Sequence, residues 1–449
     1  MLLVCTLLSL ASLAPVTAPL VSPNLGPHPV LGCDGEIVRA LVGQSPADRF
    51  GAALAGGVDV DLDGFGDVLV GAPQGSLDRL TSAGVVSVFA GSDGTLLYRI
   101  GGQSRGDTFG AALAVVADLN GDGRREFLVG SPYGGGGFGR VSVHSGADGV
   151  EVLSVIGSED GSEFGTAIAG LGDVNGDGCE DFAVGAPTQD SAGLLAGRVE
   201  AFSGLDGTRL WMQDGVQGDL LGRSLASAGD LDGDGLGDLI AGAPFADSGG
   251  FNSGSAYVFS GVNGDLILSL KGTESGAQLG DRVALVGDVD LDGVADILLG
   301  APGADAAGID SGLAEVRSGV DGSTLLAIPG EGSAHYLQAV AAAGDFDYDG
   351  VADFAVGEAL GGKQGFQRGV VRVISGHTGR VLQRIEGDVD AGWLGASLAT
   401  AGDVDGDGHL DLCLGAPVSD DEVLRPGSVL ILHGGCDPSG LHNRVPRKR

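Results

Sequence analysis

Basic residues are scarce in this chain. Only 24 Lys and Arg stand against 60 Asp and Glu in 449 residues, a formal net charge of −36. A phosphate-facing surface for nucleic acid is therefore not expected. Cysteine is also rare, at five residues, and no C-x-x-C occurs, so a zinc ribbon or thioredoxin-type site has no support. The seven histidines form no His-x-His or His-Glu-x-x-His pattern, and no Asn-x-Ser/Thr sequon is present. Proline, at 16 residues, is too sparse for a Pro-rich linker protein. Long apolar runs are missing beyond the N-terminus. There, Met1–Ala18 is uncharged with an apolar core at Leu2–Leu13, which reads as a signal peptide and is too short for a membrane span. The mature chain is expected to be secreted or held at the cell surface, with no transmembrane segment.

What abounds is glycine, at 86 positions, without the every-third-residue period of collagen. The hydrophobic fraction of 43% excludes a wholly disordered chain. A nine-residue acidic pattern recurs seven times, starting at Asp59, Asp118, Asp173, Asp230, Asp288, Asp345 and Asp403. Nine residues before each start lies a pair that is usually Phe-Gly or Leu-Gly, such as Phe50-Gly51, Phe109-Gly110 and Leu221-Gly222. Twelve residues after each start lies a glycine that usually opens Gly-Ala-Pro, such as Gly71-Ala72-Pro73 and Gly242-Ala243-Pro244. The sixth repeat departs from both, with His335-Tyr336-Leu337 and Gly357-Glu358-Ala359.

In the fourth repeat, four short runs separated by turn signals read as strands: 224–228, 239–243, 255–260 and 266–270. No helical period intervenes. Four strands per repeat and seven repeats predict an all-β, seven-bladed β-propeller. Cys33-Asp34-Gly35 and the apolar run after it match the turn and fourth strand of a repeat, whereas the last repeat stops after three strands. The N-terminal strand is thus expected to complete the last blade and close the ring. The domain reading is a signal peptide at 1–18, a linker at 19–30, the propeller at 31–437 and a basic disordered tail at 438–449. Cys33 and Cys436 occupy the same turn position across the seam, so a disulfide between them is expected. Cys179 and Cys413 lie in blades that are not neighbours and should not form one.

Positions 1, 3, 5 and 9 of each acidic pattern carry oxygen side chains. The sets are Asp59, Asp61, Asp63 and Asp67; Asp118, Asn120, Asp122 and Glu126; Asp173, Asn175, Asp177 and Asp181; Asp230, Asp232, Asp234 and Asp238; Asp288, Asp290, Asp292 and Asp296; Asp345, Asp347, Asp349 and Asp353; Asp403, Asp405, Asp407 and Asp411. Position 6 is glycine throughout, which permits a tight turn that brings these oxygens to one point. Three or four carboxylates in an oxygen cage suit Ca²⁺, up to seven ions per chain. An EF-hand would need a ligand at position 12 and flanking helices, but position 12 here is mostly apolar.

Phe-Gly, the Asp-rich loop and Gly-Ala-Pro together resemble the FG-GAP repeat of the integrin α-subunit propeller, over residues 31–437. The resemblance implies Ca²⁺ in hairpin loops on one face. It also implies a backbone carbonyl ligand from position 7, here Phe65, Arg124, Cys179, Leu236, Val294, Val351 and His409. Integrins keep the metal loop in only some blades, whereas all seven look competent here. The loops of the opposite face vary, with Tyr133, Phe138, Phe245, Phe251, Lys363, Phe366 and Arg368. The expected function is a monomeric, secreted calcium-binding module for adhesion or binding of a protein or glycan ligand, without catalysis. The alternative is a calcium-dependent polysaccharide lyase or other carbohydrate-active enzyme on the same scaffold. His335 is read as a loop histidine, and Trp211 and Trp393 as packing residues.

Overall fold

The structure is a computed structural model that describes residues 37–45, 47–77, 80–362, 367–418 and 426–435. The expected signal peptide, linker, tail and Cys33–Cys436 bond lie outside the described residues, as do Lys363 and Phe366. Seven four-stranded antiparallel sheets form a β-propeller. In blade 4 the strands are Leu225–Gly229, Asp238–Ala243, Ser255–Phe259 and Leu266–Lys271, within a residue of the sequence expectation. The first strand of each blade packs against the first strands of both neighbours, so these seven strands surround the axis. The seam closes as expected. Ile37–Val42 pairs with Ser428–Leu432 and becomes the outer strand of blade 7.

The core is divided among the blade junctions. One apolar cluster joins Val184 and Phe182 of blade 3 to Val141 and Leu128 of blade 2. Another joins Ile240 and Val258 of blade 4 to Ile297 and Leu299 of blade 5. Each of the seven clusters draws on two adjacent blades in this way. The second strands are buried on both faces, and this explains their unbroken apolar runs. No blade can bury its faces alone, which makes the ring the unit of stability.

The two glycine signatures meet at these junctions. Gly242, in the second strand of blade 4, abuts the next blade so closely that a Cβ would lie 1.9 Å from the carbonyl oxygen of Gly280. Gly280 has a φ of +87° and donates its N–H to Gly300 O at 3.0 Å. The same contact, at 2.1–2.4 Å, recurs at Gly71, Gly130, Gly185, Gly357 and Gly415. The aromatic or leucine before each Phe-Gly-type glycine fills the junction: Phe50, Phe109, Phe164, Leu221, Leu279 and Leu394 are all buried.

Blade 6 corrects the alignment of its own pair. Leu337, not Tyr336, takes the buried slot, packing on Gly312 as Phe109 packs on Gly84. The one-residue shift is absorbed by a bulge between Leu337 and Ala339. Trp211 is a packing residue as expected, with its indole N–H donating to Gly261 O of the next blade at 2.6 Å. Neither Cys179 nor Cys413 is in a disulfide.

Candidate metal centres on one face

Each acidic pattern links the first and second strands of its blade, so all seven loops share one face of the ring. Glycine at position 6 has φ between +87° and +95° in every loop, a region that an L side chain enters only with strain. Its N–H donates to the position-1 carboxylate at 2.8–3.0 Å in all seven loops. The position-7 residues Phe65, Arg124, Cys179, Leu236, Val294, Val351 and His409 donate their N–H to the position-5 carboxylate at 2.8–3.0 Å. The turn therefore folds around its own carboxylates.

In loops 1, 2 and 4 the structure gathers three of the expected side chains. Ligand-capable oxygens of Asp59, Asp61 and Asp67 lie within 4.8 Å of one another. So do those of Asp118, Asp122 and Glu126, and of Asp230, Asp232 and Asp234. In loop 2, Asn120 turns its amide nitrogen toward Glu126 at 2.8 Å and toward Asp122 at 3.1 Å. In loop 3, Asn175 likewise donates to Asp181 at 3.2 Å.

Position 9 also has a structural task that sequence reasoning missed. Asp67 accepts from Val60 N at 2.7 Å and from Gly91 N at 2.9 Å, which ties the loop to the turn after the third strand. Asp181, Asp238, Asp296, Asp353 and Asp411 make the same pair of bonds. Glu126, one methylene longer, keeps the first bond, from Leu119 N, and accepts from the Asn120 amide in place of the turn glycine. The repeated Ser-Gly of that turn was the available signal, because its glycine N–H needs an acceptor.

These carboxylates are electrostatically uncomfortable. Burial, reinforced by the charges of Asp61 and Asp63, pushes the Asp67 carboxyl up to about 6. Burial first, then Asp118 and Asp122, pushes Glu126 up to about 7. Burial likewise raises Asp181 to about 6 and Asp353 to about 7, and raises Asp238 and Asp296. Among the described residues, arginine–carboxylate pairs such as Arg140–Glu151 and Arg198–Asp214 lie away from the loops. In loop 7 a basic side chain, His433, meets the loop acids, and in loop 6 the charge of His377 acts on Asp347. A crowded, partly buried set of hard oxygen donors fits a divalent cation.

On the opposite face, Tyr133, Phe138 and Phe251 are exposed, while Phe245 and Arg368 are half-buried. Arg368 pairs with Asp390 at 2.6 Å. A second group that the sequence did not reveal lies on this face, in blade 6. Glu358 is buried and takes His335 Nδ1 at 2.7 Å and Arg372 at 2.6 Å. Glu331 beside it pairs with Arg384 at 2.9 Å.

A ring of seven four-stranded blades, each with an acidic hairpin loop on one face, is a repeat β-propeller. The FG-GAP repeat matches residues 50–89, 109–144, 164–199, 221–259 and 394–432. The chain thus carries five FG-GAP repeats, and its propeller is like that of integrin α-subunits. Integrin alpha-4 of Xenopus laevis is 34% identical over 47% of this chain and 22% of its own length. Integrin alpha-8 of Mus musculus is 27% identical over 63% of this chain and 30% of its own. The phosphatidylinositol-glycan-specific phospholipase D of Homo sapiens is 30% identical over 62% of this chain and 38% of its own. The chain thus spans well under half the length of these relatives. Among the described residues, no helix is long and apolar enough to cross a membrane.

Proposed function

We propose that the protein is a secreted or cell-surface calcium-binding propeller, monomeric and non-catalytic, that presents a protein or glycan ligand surface on the rim opposite its acidic loops. The observation that carries the cation reading is the φ-positive glycine that folds every loop around its own carboxylates, which gather within 4.8 Å in loops 1, 2 and 4, with burial raising position-9 acids such as Asp67 and Asp353. The side chains at positions 1, 3, 5 and 9 of each loop would hold the ion, joined by the backbone carbonyl of position 7. Bound Ca²⁺ would neutralise the carboxylates and brace the loop. The protein's own share is to hold the cage open through its N–H bonds, so little reorganisation is left for binding.

The integrin relatives and the variable rim favour binding over catalysis. A rigid ring that varies its loops on one side separates stability from recognition. Metal analysis of the purified chain should find about seven Ca²⁺, with loops 2 and 3 among the weaker because an amide replaces a carboxylate. Two ions or fewer would overturn the reading. Incubation with a glycan and matrix-protein array should give saturable binding. Turnover of a pectin-like polysaccharide or of a phosphatidylinositol-glycan, without such binding, would overturn the non-catalytic assignment.

A further inference from the structure

The seventh loop departs from its siblings in one chemical respect. In blades 2 to 6 the residue after the third strand is Ser145, Ser203, Ser260, Ser318 or Ser375. The hydroxyls of Ser145 and Ser203 donate to the position-5 acids Asp122 and Asp177 at 3.3 and 2.9 Å. In blade 7 that place is held by His433. Its Nδ1 lies 3.4 Å from Asp405 Oδ2 and 3.7 Å from Asp411 Oδ1, and its Nε2 lies 3.5 Å from Asp407 Oδ2. A ring nitrogen and one oxygen each of Asp405 and Asp407 fall within 4.8 Å of one another. Two of the polar atoms there, His433 Nδ1 and Asp405 Oδ1, are shut off from solvent and make no hydrogen bond.

We propose that this loop is a mixed nitrogen–oxygen site that takes a borderline divalent transition metal, Zn²⁺ above all, through His433, Asp405 and Asp407. The inference rests on reading the loops as cation sites and gives one of them a different ion. Metal–ligand bonds of about 2.0–2.2 Å set neighbouring ligand atoms about 3.4 Å apart on a tetrahedron. The separation of His433 Nδ1 from Asp405 already matches that edge, whereas Asp407 faces the other ring nitrogen and would have to turn toward the same ion from within the 4.8 Å cluster. Imidazole favours zinc over calcium, which seeks oxygen alone. The hydroxyl of the sibling loops offers no such preference.

The other group with a histidine among acids, Glu331, His335 and Glu358, carries no metal proposal. Arg372 and Arg384 already neutralise its two carboxylates. It serves as the control.

The test titrates Zn²⁺ calorimetrically into the full chain held in excess Ca²⁺, and repeats the titration with Co²⁺ while following its visible absorption. One tight zinc site per chain is expected, with a cobalt spectrum that shows nitrogen ligation. His433→Ser, which restores the sibling residue, should weaken zinc by tenfold or more and remove the cobalt bands. The number of calcium ions taken by the other loops should stay the same, which shows that the variant is folded. His335→Gln should leave zinc binding intact. Unchanged zinc affinity in His433→Ser, or no tight zinc site in the parent, would overturn the proposal. Calcium on all seven loops with no zinc site would sink this inference and spare the calcium reading. Zinc at His433 with no calcium elsewhere would do the reverse.

Discussion

Blades 4 and 6 share a topology but close their junctions by opposite means. Blade 4 keeps both glycine signatures, and its contact with blade 5 is backbone against backbone, Gly242 on Gly280. Blade 6 has Leu337 and Glu358 where a glycine and an alanine stand in most repeats. Its junction with blade 5 is side-chain chemistry: Leu337 over Gly300, and Glu358 held between His335 and Arg372, which also donates to Pro329 O of blade 5. A propeller junction therefore tolerates loss of its sequence signature when a polar group buried in its place is neutralised on the spot.

The sharpest way to break the blade 6 solution is to remove one member of its ion pair. Arg372 and Glu358 have side-chain exposures of 6% and 1%. Glu358→Ala strands a buried guanidinium, and about 3–5 kcal/mol of stability should be lost in denaturant unfolding. Replacing both, Glu358→Ala with Arg372→Leu, should recover much of that loss, because an apolar junction is what the other blades use. Failure of the double variant to recover would mean that the pair is not an isolated substitute for apolar packing.

Next in size is a matched pair of methyl additions. Gly242→Ala drives a Cβ into the Gly280 carbonyl, a backbone atom that cannot step aside. Gly300→Ala meets only Leu337 Cδ2 at 3.0 Å and Arg282 Cβ at 3.2 Å, and the leucine tip can move. The first should cost about 3 kcal/mol and the second about 1 kcal/mol or less. Equal costs in thermal unfolding would show that the junctions do not differ as described.

Much of this was legible in the sequence, and the illegible part has a common cause. Strand positions, blade number and ring closure follow from spacing, because backbone contacts such as Gly242–Gly280 repeat at fixed offsets. The acids at positions 1, 3 and 5 are legible for the same reason. The slip at Tyr336-Leu337 was hidden because a bulge keeps the count of residues while moving one side chain by one place. The Glu358–Arg372 pair and the approach of His433 to loop 7 were hidden because each joins residues of different strands, and no local pattern marks the meeting. The second bond of the position-9 aspartates, to the turn after the third strand, is of the same kind.

The loops also separate the two blades through their acids. Burial pushes Asp353 of blade 6 up to about 7 and raises Asp238 of blade 4. An acid whose folded pKa lies above its unfolded value holds its proton more tightly when folded. Metal-free protein should then lose stability as pH rises from about 4 through 7. Calcium, which binds the ionised loops, should offset that loss above pH 7. Melting curves in chelator at pH 5.5 and 7.5 should show the higher Tm at pH 5.5, with the gap narrowed or reversed by Ca²⁺. Asp353→Asn should flatten the metal-free dependence more than Asp238→Asn. A metal-free Tm that climbs with pH would contradict the strained-carboxylate picture.

The smallest expected effect concerns position 4 of the loops, where the two blades again differ. Blade 4 has Gly233 there, at φ +81°, with its N–H on Asp230 at 2.7 Å. Blade 6 has Tyr348 in the same left-handed region, at φ +61°, and blades 1 and 5 have Leu62 and Leu291, at +64° and +63°. A non-glycine residue there is strained by roughly 1 kcal/mol. Tyr348 recovers something from its edge contact with His409, with ring centroids 4.4 Å apart. Leu291 is 65% exposed and has little to recover from. Leu291→Gly relieves the strain but adds freedom to the unfolded chain, which takes back about 0.5–1 kcal/mol. The net change in unfolding free energy should fall within about 0.5 kcal/mol of zero. Tyr348→Gly should instead destabilise, because it loses the His409 contact as well. If Leu291→Gly cost as much as Tyr348→Gly, exposure at position 4 would not be what sets the difference.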